Sequence, residues 1–308
     1  MATDGLQAIA HEIERQPEAL ERLANAELPK APRGSIFVGA GDSYASALAG
    51  FYASDGRCLA LDPYSLAIAP DTARGLDVFF ISISGRTSSN VFAAKKVRRL
   101  ARETTALTGV EESPLARNAG RVIRLPISYV PKLPGVMSFS LSALAAIMIA
   151  GGGGPCDFSW TLREAKKDAG IPMLGEGTTY MLGNSLAYPP ALYAAAKIYE
   201  LLGARAHGEL LEEFSHMELF SLRKRDAINL FSDFDPSGMA RKLTLSLAGR
   251  GYNARLVPAR GRSRLERFFH CVFLAQLWSL AEASKAGLEK PRFLMDEGKL
   301  HVSDSMIY

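Results

Sequence analysis

The chain holds little cysteine: three residues among 308, at positions 58, 156 and 271, with no CxxC pairing. An odd number of widely spaced thiols excludes a disulfide framework and a cysteine-based zinc module, and a reducing cytoplasm is the expected compartment. Histidine is nearly as scarce, with five residues and no HxxH or HExxH spacing, so no metal and no other cofactor is expected. Strong charge bias is missing as well. Lys+Arg exceed Asp+Glu by only 36 to 32, a net charge of +4. That is too mild for a dedicated nucleic-acid binder but compatible with a small anionic substrate. No apolar run is long: the strongest, Leu141 to Ala150, is about half of what a bilayer span requires and reads as a buried helix. Asp4, Glu12 and Glu14 stand before any apolar run, so no signal-peptide core is present. A soluble chain without membrane or nucleic-acid partners is expected.

What is present is ordinary globular material, 48% hydrophobic and 22% charged. At about 100–200 residues per domain, the length suits two domains. Leu6, Ile9, Ile13, Leu20 and Leu23 form one stripe of an opening helix over 5–25, and Pro29 and Pro32 mark the linker behind it. Short apolar strands at 35–39, 58–61, 78–82, 105–107 and 121–125 follow, with helices from Ser43 and over 88–103. Such alternation predicts an α/β fold, a doubly wound parallel sheet with helices on both faces. The run Gly151 to Gly154, followed by Pro155, cannot hold regular structure cheaply. It sets expected domains at 1–152, including the N-terminal helix, and 153–308, including the tail. Echoes across this boundary predict a tandem duplication: Gly41-Asp42-Ser43-Tyr44 with Gly183-Asn184-Ser185-Leu186, and 78–82 with 228–232.

The segment from Phe79 to Asn90 carries the most chemistry. A buried strand runs into Ser82-Ile83-Ser84-Gly85-Arg86-Thr87, and a helix begins at once. Hydroxyls and free backbone N–H groups therefore converge on a helix N-terminus, whose dipole favours an anion. Capping alone needs one or two such residues, fewer than this cluster supplies. The Walker A pattern is absent, so a nucleoside triphosphate is not the natural ligand. A second loop, Gly39-Ala40-Gly41-Asp42-Ser43-Tyr44, offers Ser43 as a further hydroxyl but fails as a dinucleotide fingerprint, because Tyr44 stands where a third glycine belongs. In the other half the matching loop, 232–238, holds Asp233 and Asp235, which repel phosphate.

These loops resemble those of the sugar isomerase (SIS) domain family in tandem copies, such as the isomerase domain of glucosamine-6-phosphate synthase and the archaeal bifunctional phosphoglucose/phosphomannose isomerases. Gly39 to Ser43 matches the family's GxGxS loop and Ser82 to Thr87 its SxSGxT phosphate loop, and the likeness covers about residues 33 to 300. Ile83 and Arg86 depart from the synthases, which have Gln and often Glu there. The family places a glutamate on a second-domain helix and a histidine sixteen residues later, as Glu200 and His216 stand here. Lys197 resembles a family active-site lysine, and Lys299, the first lysine after Pro291-Arg292, resembles the tail lysine, with a longer gap. Glu209, Glu212 and Glu213 are rivals of Glu200 by position.

The resemblance implies a phosphosugar isomerase interconverting a hexose 6-phosphate, of glucose or also of mannose, with fructose 6-phosphate. Ser43, Ser82, Ser84, Thr87 and Lys197 would bind substrate, and Glu200, His216 and Lys299 would be catalytic. It also implies a homodimer with shared active sites. An amino-sugar phosphate deaminase, a glutaminase-less synthase and a non-catalytic sugar-phosphate sensor use the same scaffold.

Overall fold

The computed structural model describes residues 5–128, 130, 133–233, 235 and 237–308. Up to the glycine run the elements are α1 (Leu6–Ala24), β1 (Ile36–Val38), α2 (Asp42–Ala53), β2 (Leu59–Leu61), α3 (Pro63–Ile68), β3 (Asp77–Ile81), α4 (Ser88–Val97), β4 (Glu103–Thr108), α5 (Pro114–Asn118), β5 (Arg121–Arg124) and α6 (Met137–Ile149). Beyond it come α7 (Phe158–Asp168), β6 (Thr179–Gly183), α8 (Tyr188–Lys197), β7 (Ala206–Leu210), α9 (Leu211–His216), β8 (Ala227–Phe231), α10 (Met239–Ala248), β9 (Asn253–Val257), α11 (Arg264–Lys285) and α12 (Glu297–Ile307).

The chain divides into two compact units. The first comprises Arg15–Gly153 with Glu297–Tyr308, the second Met1–Glu14 with Gly154–Asp296. The expected boundaries therefore need correction at both ends. The chain's first residues group with the second unit, where Leu6 N donates to Glu289 O at 3.2 Å. The tail groups with the first, where Ser88 Oγ donates to Ile307 O at 2.9 Å.

In the first unit all strands pair in parallel, in the order β2-β1-β3-β4-β5. Alternation along the strands fills both faces. Phe37 stacks on Phe79 at 5.2 Å on one face. On the other, Ile36, Val38, Val78 and Phe80 pack with Leu66 of α3 and with Ala93, Ala94 and Val97 of α4. Gly50 lets α2 lie directly on this sheet, since a Cβ there would stand 3.1 Å from the Phe37 ring. The apolar run noted above is α6, buried over most of its length; among the described residues no helix is long and apolar enough to cross a membrane. Helix α4 stops at Val97, six residues before the expected end, because the polypeptide turns through Arg98 to Arg102 to bring Glu103 beside Asp77.

The second unit has the parallel order β7-β6-β8-β9, which repeats the order of the first four strands of the other sheet. Tyr180, Leu182, Ile228 and Leu230 cover one face with Leu211, Phe214 and Ala240. Long α11 buries Phe268, Phe269, Phe273 and Trp278, and Phe269 meets Phe158 of α7 edge-on at 5.1 Å.

Beside this helix, buried Asp168 takes two hydrogen bonds from Arg260, at 2.6 and 2.9 Å, and lies 3.2 Å from buried His270. Hydrogen bonding to Arg260 holds the Asp168 carboxyl below its ordinary range, and burial pushes the His270 imidazole down. Both shifts make the unfolded chain bind more protons, so stability rises with pH. The histidine contribution is lost as pH falls below about 6.5, the aspartate contribution as pH falls below about 3.9. Thermal unfolding should therefore occur at lower temperature at pH 5 than at pH 7.5, and His270→Gln should flatten that difference. An unchanged difference in the variant would remove His270 as its source.

Candidate functional site

The first unit positions the hydroxyl loop at the carboxyl ends of adjacent β1 and β3. Chain connections leave these two strands in opposite directions, which is where open α/β sheets bind ligands. The loop backbone is pinned on its inner side. Ile83 O accepts from Gly109 N and from Thr108 Oγ1, both at 3.0 Å, and Gly85 O accepts from Leu115 N at 2.9 Å. Gly85 adopts φ +60°, and a Cβ on it would lie 2.0 Å from Ser113 Oγ. Only glycine fits there.

Ser82 and Ser84 are 3% and 7% exposed. Ser82 Oγ and Thr87 Oγ1 lie 3.3 Å apart, and Ser84 Oγ accepts from Arg86 N at 3.2 Å. Thr87 occupies the N-cap of α4, yet its side chain makes no capping bond. The Thr87 hydroxyl is thus not used to cap the start of α4. Ser43 sits in the first turn of α2, behind Gly41 at φ +58° and again without a side-chain cap. Lys299 is exposed on α12, in the unit that holds the loop.

The helix that follows β8 shows the opposite arrangement. Asp235 accepts from Met239 N at 3.0 Å and from Ala240 N at 2.9 Å, so a carboxylate of the chain itself fills the anion position of α10. Phe234 and Pro236 of that loop lie outside the described residues. A glycine identifies the true counterpart of the first loop. A Cβ on Gly39 would strike Ser43 O at 2.3 Å, and one on Gly183 would strike Ala187 O at 2.4 Å. Strand register agrees: Gly183 is opposite Phe231, and Val38, one residue before Gly39, is opposite Phe80. By these contacts Gly183 is placed on its strand as Gly39 is on β1, two residues away from the expected echo with Gly41, and Ala187 is placed as Ser43 is.

The second unit holds the titratable candidates. Pro189 and Pro190 open α8, and the helix passes at Lys197 into a π-helical turn, Ile198–Leu202. Gly203, at φ +62°, closes it. Wider π turns of this kind are frequent at functional sites. Here the turn presents Glu200, whose carboxylate pairs with Lys197 Nζ. Lys197 is 1% exposed, and its ammonium lies 5.0 Å from the centre of the Tyr193 ring. A buried ammonium is costly without an anion, and Glu200, one-third exposed, supplies it. Tyr193 itself accepts a hydrogen bond from Gln276 Nε2 at 3.1 Å. Nothing in the sequence spacing singled out Tyr193 or the π turn.

His216 ends α9 and is exposed. Its Nε2 lies 3.2 Å from Glu212 Oε1, and it makes no hydrogen bond to Glu200. Of the rival glutamates, Glu212 is thus engaged with His216, and Glu209 accepts from Leu210 N at 2.7 Å.

No protein-family model and no curated protein sequence matches the chain. Solved structures do. Glucosamine-6-phosphate deaminase from Thermotoga maritima is 21% identical with a TM-score of 0.73, the match covering 91% of this chain and 95% of that one. The C-terminal domain of glucosamine-fructose-6-phosphate aminotransferase from Francisella tularensis is 16% identical (TM-score 0.71; 92% and 98% covered). Tagatose-6-phosphate ketose/aldose isomerase from Escherichia coli is 16% identical (TM-score 0.68; 91% and 93% covered). The chain shares their fold over nearly its whole length.

Proposed function

We propose that the protein is a phosphosugar aldose–ketose isomerase of the tandem SIS type, acting on a hexose 6-phosphate and forming fructose 6-phosphate. The observation that carries this reading is the pinned loop of hydroxyls at an uncapped helix start. A phosphate monoester needs several donors around its oxygens, and Ser43, Ser82, Ser84, Thr87 and the first N–H groups of α4 supply them. Holding that remote group places the reacting carbons, so its binding energy contributes to rate as well as affinity.

In this mechanism His216 moves a proton between O1 and the ring oxygen to open the sugar. Glu200 takes the proton from C2 of the open aldose and returns it to C1. Lys197 orients that carboxylate, and Lys197 or Lys299 stabilises charge developing on the enediolate oxygens. The repeated strand order and the shared glycine contacts of Gly39 and Gly183 support a duplicated domain. A homodimer with shared sites belongs to the same reading. A second reading, an amino-sugar phosphate deaminase, is favoured by the likeness to the Thermotoga enzyme.

Glucose, mannose and glucosamine 6-phosphates, assayed for ketose and for ammonia, separate these readings. Ketose from a hexose 6-phosphate is expected, with inorganic phosphate competing. Ser84→Ala and Thr87→Val should each raise KM about tenfold, the loss of one hydrogen bond to a charged group. An unchanged KM in both variants would remove the loop from the mechanism.

A further inference from the structure

Away from Glu200 and the hydroxyl loop, one cluster brings an imidazole and two carboxylates together. Strand β7 places His207 and Glu209 two positions apart, hence on one face. A 3₁₀ turn after α9, Glu218–Ser221, adds Glu218. His207 Nδ1 lies 3.0 Å from Glu218 Oε1, His207 Nε2 lies 3.9 Å from Glu209 Oε2, and one ligand atom of each residue falls within 4.8 Å of the others. The two glutamate side chains are only 19% and 18% exposed. Among the described residues neither has a lysine or arginine partner, so one imidazole faces two carboxylates. Glu218 Oε2 is also buried without any hydrogen-bond partner. A buried carboxylate oxygen left without a partner is costly, and such a group calls for an ion or water.

We propose that His207, Glu209 and Glu218 bind one divalent first-row transition ion of the zinc class. One imidazole nitrogen and two carboxylate oxygens form a ligand set that zinc accepts, with a fourth position left for water. Ligand atoms of a tetrahedral zinc stand about 3.3 Å apart, as follows from bonds of about 2.0 Å, and one ligand atom of each residue already lies within 4.8 Å of the others. A divalent charge offsets the two carboxylates and occupies the free valence of Glu218. The ion also ties β7 to the chain beyond α9, closing the segment that carries His216. Sequence spacing conceals the site, because its ligands come from a strand and from a turn eleven residues later.

Zinc titration of the metal-stripped full-length protein by calorimetry tests this, with cobalt absorption as a second probe. One ion per chain is expected, with a rise in unfolding temperature on zinc addition. Removing even an outer-sphere partner of a metal site costs about 10–100-fold in affinity. His207→Gln and Glu218→Gln should each lose at least that much and lose the thermal shift, while Cys156→Ser keeps both. Circular dichroism of the variants checks that they fold. Absence of zinc binding by the wild type, or wild-type affinity in both folded ligand variants, overturns the assignment.

Discussion

Glu200→Gln should reduce kcat for hexose 6-phosphate isomerisation by about 10³-fold, within the 10²–10⁴ that a positioned general base contributes. The amide matches the carboxylate in shape but cannot accept the C2 proton. KM should change little, since the proposed phosphate ligands are hydroxyls and do not include Glu200. The variant also leaves Lys197, 1% exposed, without its anion, so some loss of stability accompanies the loss of rate. Steady-state kinetics, with circular dichroism to confirm folding, separate the two effects. Glu213→Gln is the matched control, because Glu213 is exposed on α9. Retained turnover in Glu200→Gln together with loss in Glu213→Gln would move the base to α9.

The second large effect is expected at Gly85. Its φ of +60° is unfavourable for alanine, and a Cβ would lie 2.0 Å from Ser113 Oγ and 2.4 Å from Ser113 Cβ. Left-handed backbone costs about 1–2 kcal/mol for a residue with a Cβ, and overpacking adds about 1–3. The loop would have to move away from α5, which carries the Ser113 cap. Ser82, Ser84 and Thr87 would then no longer converge, and KM for the hexose phosphate should rise about a hundredfold, equivalent to about 2.7 kcal/mol. Combining Gly85→Ala with Ser113→Gly removes the clash and leaves the backbone strain, so part of the affinity should return. A Gly85→Ala protein with wild-type KM would show that loop geometry does not matter for binding.

Much of this was legible in the residues. Alternating apolar strands predicted parallel sheets, and the strand expected over 78–82 lies within one residue of β3, with the helix behind it starting at Ser88 as expected. Other features were not legible, for physical reasons. The glycine echo was offset by two residues, because what Gly39 and Gly183 share is a close approach to a carbonyl four residues on, which sequence does not display. The exchange of chain ends between units depends on long-range hydrogen bonds at Glu289 and Ile307. Burial of Lys197 was hidden for a similar reason: a lysine three residues from a glutamate on a helix ordinarily marks a solvated surface pair. Likewise the contrast between an open α4 and an α10 closed by Asp235 rests on where two N–H groups point.

The measurement that bears most directly on the proposed activity is proton NMR of glucose 6-phosphate incubated with the wild-type protein in D2O. An enediolate mechanism run by one carboxylate base predicts loss of the C2 proton signal of the aldose as fructose 6-phosphate accumulates, with no ammonia formed from any substrate. A C2 signal that persists under conditions where glucosamine 6-phosphate releases ammonia would contradict the isomerase account and leave the same scaffold with a deaminase.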